Sequence, residues 1–125
     1  MSLLTRPKRA FELRNWDPNS ARGRVVTCSG ELDLEAAPEL RFLLCQMMQL
    51  GTTDLVVDLT AVTFLDSTII GVLTGRLRRL RDDDGSLVLV CTNDFVLRTI
   101  AIAGMDRVFE VYPTLAEALT RDDSR

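Results

Sequence analysis

A chain of 125 residues with 46% hydrophobic content has the length of one domain, about 100–200 residues, and enough apolar side chains to fold alone around its own core. Its net charge of −3, with arginines spread among carboxylates, offers no basic footprint for nucleic acid. No apolar run approaches the roughly 18–20 residues of a membrane span, and "MSLLTRPKRAFELRNW" lacks the uninterrupted apolar core of a signal peptide, so a cytoplasmic protein with no membrane partner is expected.

Histidine is absent. That removes the commonest general base and the usual metal ligand, and with them any Ser-His-Asp or Cys-His arrangement. Carboxylates, arginines and one lysine, Lys8, in an N-terminal arm of residues 1–9, are what remains, and no catalytic, cofactor or metal position is assigned. Cys28, Cys45 and Cys91 are odd in number and widely spaced, with no CxxC, so neither a disulfide framework nor a zinc site is implied. Each lies in an apolar context that predicts a buried thiol.

In chain order, alternation in "AFELRNW", with Phe11 and Leu13 on one face, predicts a strand, and "DPNSARG", Asp17 to Gly23, a turn. "RVVTCSG" is a second strand. "ELDLEAAPELRFLLCQMMQLG" carries Leu40, Leu43, Leu44, Met47 and Leu50 at helical spacing, with Pro38 tolerable only in the first turn and Gly51 as a stop. That predicts a helix of about three turns. "TDLVVDL" is a run of the kind buried on both faces of a parallel sheet. From Asp66 to about Arg81, Ile70, Leu73, Leu77 and Leu80 keep the spacing of an amphipathic helix, which "DDDG" ends. "SLVLVC" is another buried strand. "NDFVLRTIAIAG" is a helix with Asn93 or Asp94 as cap and Gly104 just past its end. "RVFEV" is a last strand, and "TLAEAL" a closing helix with Thr114 and Glu117 at capping-box spacing. The tail "RDDSR", residues 121–125, is expected to fray. Strands alternating with helices predict an α/β domain over residues 10–120 with parallel central strands, an antiparallel pairing being open to the first two. In such sheets partners and ligands gather where the carboxyl ends of strands meet helix N-termini.

"TFLDSTIIG" sits at such a junction. Asp66, Ser67 or Thr68 there suits an N-cap, since the first four amides of a helix lack intrahelical partners. If Asp66 caps, Ser67 is the first helical residue, and a phosphate on its hydroxyl would meet free amides and the positive end of the helix dipole. Such a phosphate would add about −1.5 to −2 charge and oppose an acidic or apolar partner surface without disturbing the fold. Ser67, Gly71 and Gly75 recur every four residues as a smooth stripe, read first as a seam for intradomain helix packing and second as a partner surface. "SGELDLE" places Glu31, Asp33 and Glu35 at a comparable strand-to-helix turn, either as solvated and capping carboxylates or as an acidic edge for a basic partner residue or a phosphoryl donor. The arginines of "GRLRRLRDDDG" read as a solvated helix end suited to the dipole.

With these residues in place, "VVDLTAVTFLDSTIIGVL" resembles the signature of the STAS-domain anti-sigma factor antagonists, and the "GELD" turn and the closing strand-helix-strand-helix segment from "LVLVC" to "LAEAL" are similar to the same family. The resemblance implies a single STAS-like domain with a four- to five-stranded mixed sheet, parallel central strands and about four helices. It also implies a protein that is not an enzyme: it binds an anti-sigma factor that is also a serine-protein kinase, releases a sigma factor, and lets go when Ser67 is phosphorylated. A serine phosphatase resets it, and ATP is used by the partner kinase, so no cofactor of its own is implied. Partner binding is assigned to Glu31, Asp33, Asp66, Ser67, Thr68 and Gly71, and a homodimer is left open. Ile69 stands where the family usually has glycine, which is expected to alter the contact surface beside Ser67. The alternative is a non-switching STAS module serving a transporter or a signalling assembly. Hydrolysis with Ser67 as nucleophile and Asp33 or Asp66 as base is disfavoured by the lack of histidine and of a Gly-rich oxyanion loop, and nucleotide binding by the lack of a P-loop.

Overall fold

A computed structural model describes residues 8–15 and 23–121. Trp16, the turn expected before Gly23, residues 1–7 of the expected arm and the last four residues of the expected tail lie outside the described residues. The elements are β1 (Arg9–Asn15), β2 (Gly23–Leu32), α1 (Ala36–Gln49), β3 (Asp54–Leu65), α2 (Ser67–Asp82), β4 (Ser86–Val90), α3 (Asp94–Ile102), β5 (Val111–Tyr112) and α4 (Leu115–Thr120). The strands form one sheet in the order β1-β2-β3-β4-β5, with β1 antiparallel to β2 and every other pairing parallel. The expected α/β architecture is therefore present, with five strands and four helices among the described residues.

The central strands are covered on both sides, which is why they read as continuous apolar runs. Alternate residues Val26, Cys28, Leu55, Val57, Leu59, Leu87 and Leu89 pack against Leu40, Leu44 and Met47 of α1, the buried side of α2, and Val96 and Ile100 of α3. The intervening Val25, Val56, Val88 and Val90 form a smaller cluster with Ala118 of α4, joined by Tyr112, Leu115 and Leu119. Each fully buried Leu, Ile or Val contributes roughly 1.5–3 kcal/mol relative to an exposed position.

Several elements differ from the sequence expectation, each for a local reason. Helix α1 spans 14 residues, about four turns rather than three, and Leu50 lies past its end with 66% exposure, outside the core. Strand β3 continues beyond Leu59 to Leu65 because β2 pairs with it as far as Leu32↔Leu65. The last strand is Val111–Tyr112 and not "RVFEV": the amides of Val108 and Phe109 bond to the Met105 carbonyl in a turn, and only then does the chain reach β4. At the ends, Arg9 belongs to β1 and not to an arm, while Arg121 reaches from the expected frayed tail to the Ser86 hydroxyl at 3.1 Å.

Candidate functional site

The long β2–β3 ladder brings two strand-to-helix junctions to the same end of the sheet. Where β3 ends, Asp66 is extended (φ −82, ψ 149) and its amide donates to the Leu32 carbonyl at 2.9 Å, so the turn that starts α2 lies beside the turn that starts α1. Asp66 Oδ1 accepts both the Thr68 amide and the Thr68 hydroxyl, each at 2.8 Å. The backbone bond first, and the hydroxyl bond second, hold the Asp66 carboxyl below its usual range. Asp66 is thus the N-cap expected from the sequence, and Ser67 is the first helical residue, exposed, with no hydrogen-bond partner for its hydroxyl among the described residues. The Thr68 amide is taken by that carboxylate and the Ile69 amide by the Asp66 carbonyl at 3.0 Å. An anion at this helix start would therefore meet the helix dipole more than a ring of open amides.

The neighbouring turn is held by ion pairs. Asp33 Oδ1 accepts the amides of Glu35 and Ala36 at 3.1 and 3.2 Å, so Asp33 caps α1, while Glu35, at the cap position, makes no side-chain cap bond. Asp33 Oδ2 is paired with Lys8 Nζ, whose hydrogen bond holds the carboxyl below its usual range. Arg9 lies 3.5 Å from Asp33 and grips Glu39 with two bonds of 2.7 and 3.1 Å. Exposed Glu31 lies 3.9 Å from Lys8 Nζ. Gly30 makes this crossing feasible: at φ +82 it lets the Glu31 amide bond to the Lys8 carbonyl at 2.9 Å, where a Cβ would come within 2.1 Å of that oxygen. The acidic edge considered for a partner cation is thus covered by the chain's own Lys8 and Arg9.

The outer face of α2 corrects two expectations. Gly71 is exposed and Gly75 half-buried, and a Cβ at either meets nothing within 4 Å, so the small-residue stripe is an open face and not an intradomain seam. The helix packs inward through Ile69, Ile70, Leu73, Leu77 and Leu80, which occupy the opposite side. Ile69 is fully buried in that set, so its bulk fills the core and does not reach the surface beside Ser67. Cys45 is a third correction: it is half-buried, and its sulfur accepts from Arg76 Nη1 at 3.2 Å. Cys28 and Cys91 are buried as expected, and burial pushes the Cys28 thiol up to about 12.

Apolar side chains that sequence reasoning did not assign to the site lie close by, in a groove that shares Thr68 with it and at Phe64, two residues before Asp66. On one side, Leu34, Pro38, Phe42, Cys45, Thr68 and Val72 line an open groove between α1 and α2 of about 660 Å³. Leu34 and Phe42 are each 64% exposed. On the α3 side, the exposed rings of Phe64 and Phe95 lie 5.9 Å apart. Phe42 could have been found from its phase, because it breaks the 40, 43, 44, 47 pattern of α1. Among the described residues no three His, Cys, Asp or Glu side chains group so as to hold a metal ion, and no helix is long and apolar enough to cross a membrane.

Known proteins share this fold. The STAS domain family model matches residues 18–118. The anti-sigma-B factor antagonist of Staphylococcus aureus is 36% identical over 86 residues, which cover 69% of this chain and 80% of that relative. The crystal structure of an anti-sigma factor antagonist from Mycobacterium paratuberculosis superposes with a TM-score of 0.81 at 30% identity, over 94% of this chain and 97% of that one. The Bacillus cell fate determinant SpoIIAA in its phosphorylated form shares the fold, with a TM-score of 0.68 at 23% identity, over 88% of this chain and 96% of that one. The chain belongs to the STAS-domain family of anti-sigma factor antagonists.

Proposed function

We propose that this protein binds an anti-sigma factor that is also a serine kinase, thereby releasing a sigma factor, and that phosphorylation of Ser67 by that kinase ends the binding. The observation that carries this reading is the Ser67 hydroxyl, exposed and unpartnered among the described residues at the first position of a helix whose cap is already supplied by Asp66. The domain acts by contact and not by catalysis, so ATP belongs to the kinase and the domain needs no cofactor. Glu31, Asp33, Asp66, Ser67, Thr68 and Gly71 form the contact surface, flanked by Leu34 and Phe42 on one side and Phe64 and Phe95 on the other. A partner cation that engages Asp33 displaces Lys8, an exchange between exposed ion pairs that costs little. A phosphate on Ser67 adds about −1.5 to −2 charge beside Asp66 and Asp33. It therefore repels any partner surface shaped for an uncharged hydroxyl, while the core beneath is untouched. A serine phosphatase restores the binding form.

The test combines phosphosite mass spectrometry with affinity measurements against the serine kinases of the same genome. The wild type should carry phosphate on Ser67. Ser67→Ala should bind without being phosphorylated, and Ser67→Glu should bind about tenfold more weakly or worse. Undiminished binding by Ser67→Glu, or no phosphate on Ser67 with any of these kinases, overturns the switch. A STAS module that docks without switching would give that second result.

A further inference from the structure

Two exposed hydroxyls stand side by side at the start of α2, and their hydrogen bonding differs. Thr68 Oγ1 donates to Asp66 Oδ1 at 2.8 Å, whereas Ser67 has no partner among the described residues. We propose that Asp66 is a specificity-determining residue: its carboxylate holds the Thr68 hydroxyl and so confines phosphorylation to Ser67. The inference rests on the reading of Ser67 as phosphoacceptor and adds what selects it.

The chemistry explains why a hydrogen bond can select. In the transfer a bond forms between the hydroxyl oxygen and the γ-phosphorus of ATP, the bond from that phosphorus to the ADP oxygen breaks, and the hydroxyl proton passes to a base of the kinase. The hydroxyl must therefore turn its proton toward that base. Ser67 can do so without losing a bond within the chain. Thr68 must first give up a bond to a carboxylate, the stronger kind of hydrogen bond, which disfavours it by about tenfold or more. The same carboxylate oxygen accepts the Thr68 amide, so the lock is anchored to the helix cap and does not swing free.

Two measurements decide the matter, one with a kinase and one without. With a kinase that phosphorylates the wild type, Ser67→Ala should remain free of phosphate although Thr68 is present. Ser67→Ala/Asp66→Gly, which removes the carboxylate but keeps a residue suited to an N-cap, should acquire phosphate on Thr68. Ser67→Ala/Thr68→Ser, which retains the lock, should remain unmodified. Phosphate on residue 68 of Ser67→Ala, or none in the Asp66→Gly double variant while circular dichroism shows it folded and titration shows it still bound by the kinase, overturns the proposal. Without a kinase, carboxyl-carbon NMR should place the Asp66 titration below the ordinary range in the wild type and move it upward in Thr68→Val, because losing a donor to the charged form raises the value. An unchanged Asp66 titration in Thr68→Val overturns the lock by itself. A wild type that no kinase phosphorylates, with the NMR shift present, counts against Ser67 as a switch and leaves the bond between Thr68 and Asp66 demonstrated.

Discussion

Ile69 and Ser67 are two positions apart in sequence, and the helix turns them to opposite fates. Ser67 faces solvent and Ile69 is fully buried. A glycine at position 69, as the family resemblance would have it, leaves less apolar volume at the base of α2, and here Ile69 fills that space against the sheet. Truncating it removes transferable apolar surface and leaves a cavity. Ile69→Ala is expected to cost about 3 kcal/mol of unfolding free energy, measured by urea denaturation, while affinity for the anti-sigma partner per folded molecule stays unchanged. A loss of affinity without a loss of stability would place Ile69 in the interface after all. At Asp66 a single carboxylate oxygen serves the amide and the hydroxyl of Thr68 together, so the cap and the proposed selectivity would come from one atom.

Among the elements, α2 connects core and surface most directly. Its 3,4,3 apolar spacing was readable from the sequence, and the buried set agrees with it residue for residue at Ile70, Leu73, Leu77 and Leu80. The stripe on the other face suggests a packing seam, since small residues recur wherever backbones approach, but periodicity does not say whether anything lies against them. The open space at Gly71 and Gly75 answers that for the isolated domain. Gly71→Ala should therefore raise stability by about 1 kcal/mol, the helix-propensity difference, with no steric penalty. Gly71→Leu should fold equally well but bind the anti-sigma partner about tenfold more weakly, because on the proposed contact surface the side chain would stand in the partner's way. Thermal melts and calorimetric titration check the pair, and full affinity in Gly71→Leu would remove α2's outer face from the contact surface. The caps were legible for the same local reason: Asp66, Asn93 and Thr114 each bond to an amide two or three residues on. The short β5 was not legible, because "RVFEV" has strand composition yet its first residues are consumed by a turn that buries Phe109.

At the scale of the whole molecule, the two-sided burial of the sheet separates the cysteines. Cys28 and Cys91 lie in the main core, while Cys45 lines the groove between α1 and α2. Under native conditions at pH 8, a thiol reagent should modify Cys45 alone on the timescale of minutes, with Cys28 and Cys91 following the unfolding rate and all three reacting in denaturant. Burial holds the Cys28 thiol protonated well above that pH. Rapid modification of two or three thiols in the folded protein would contradict this packing.

Alternation and helical spacing, which are local properties of a chain, determined the α/β class, the order of the elements and the Asp66 cap. The nearness of the two junctions did not follow from them. It depends on β2 and β3 pairing out to Leu32 and Leu65, a register set by long-range hydrogen bonds. Tertiary structure likewise decided that Lys8 and Arg9 cover Asp33, that Ile69 is core, and that Thr68 and not Ser67 has its hydroxyl occupied. The physical reason is common to all four. Sequence pattern states which side of an element a residue occupies, whereas its partner is chosen by what the rest of the chain brings to that side.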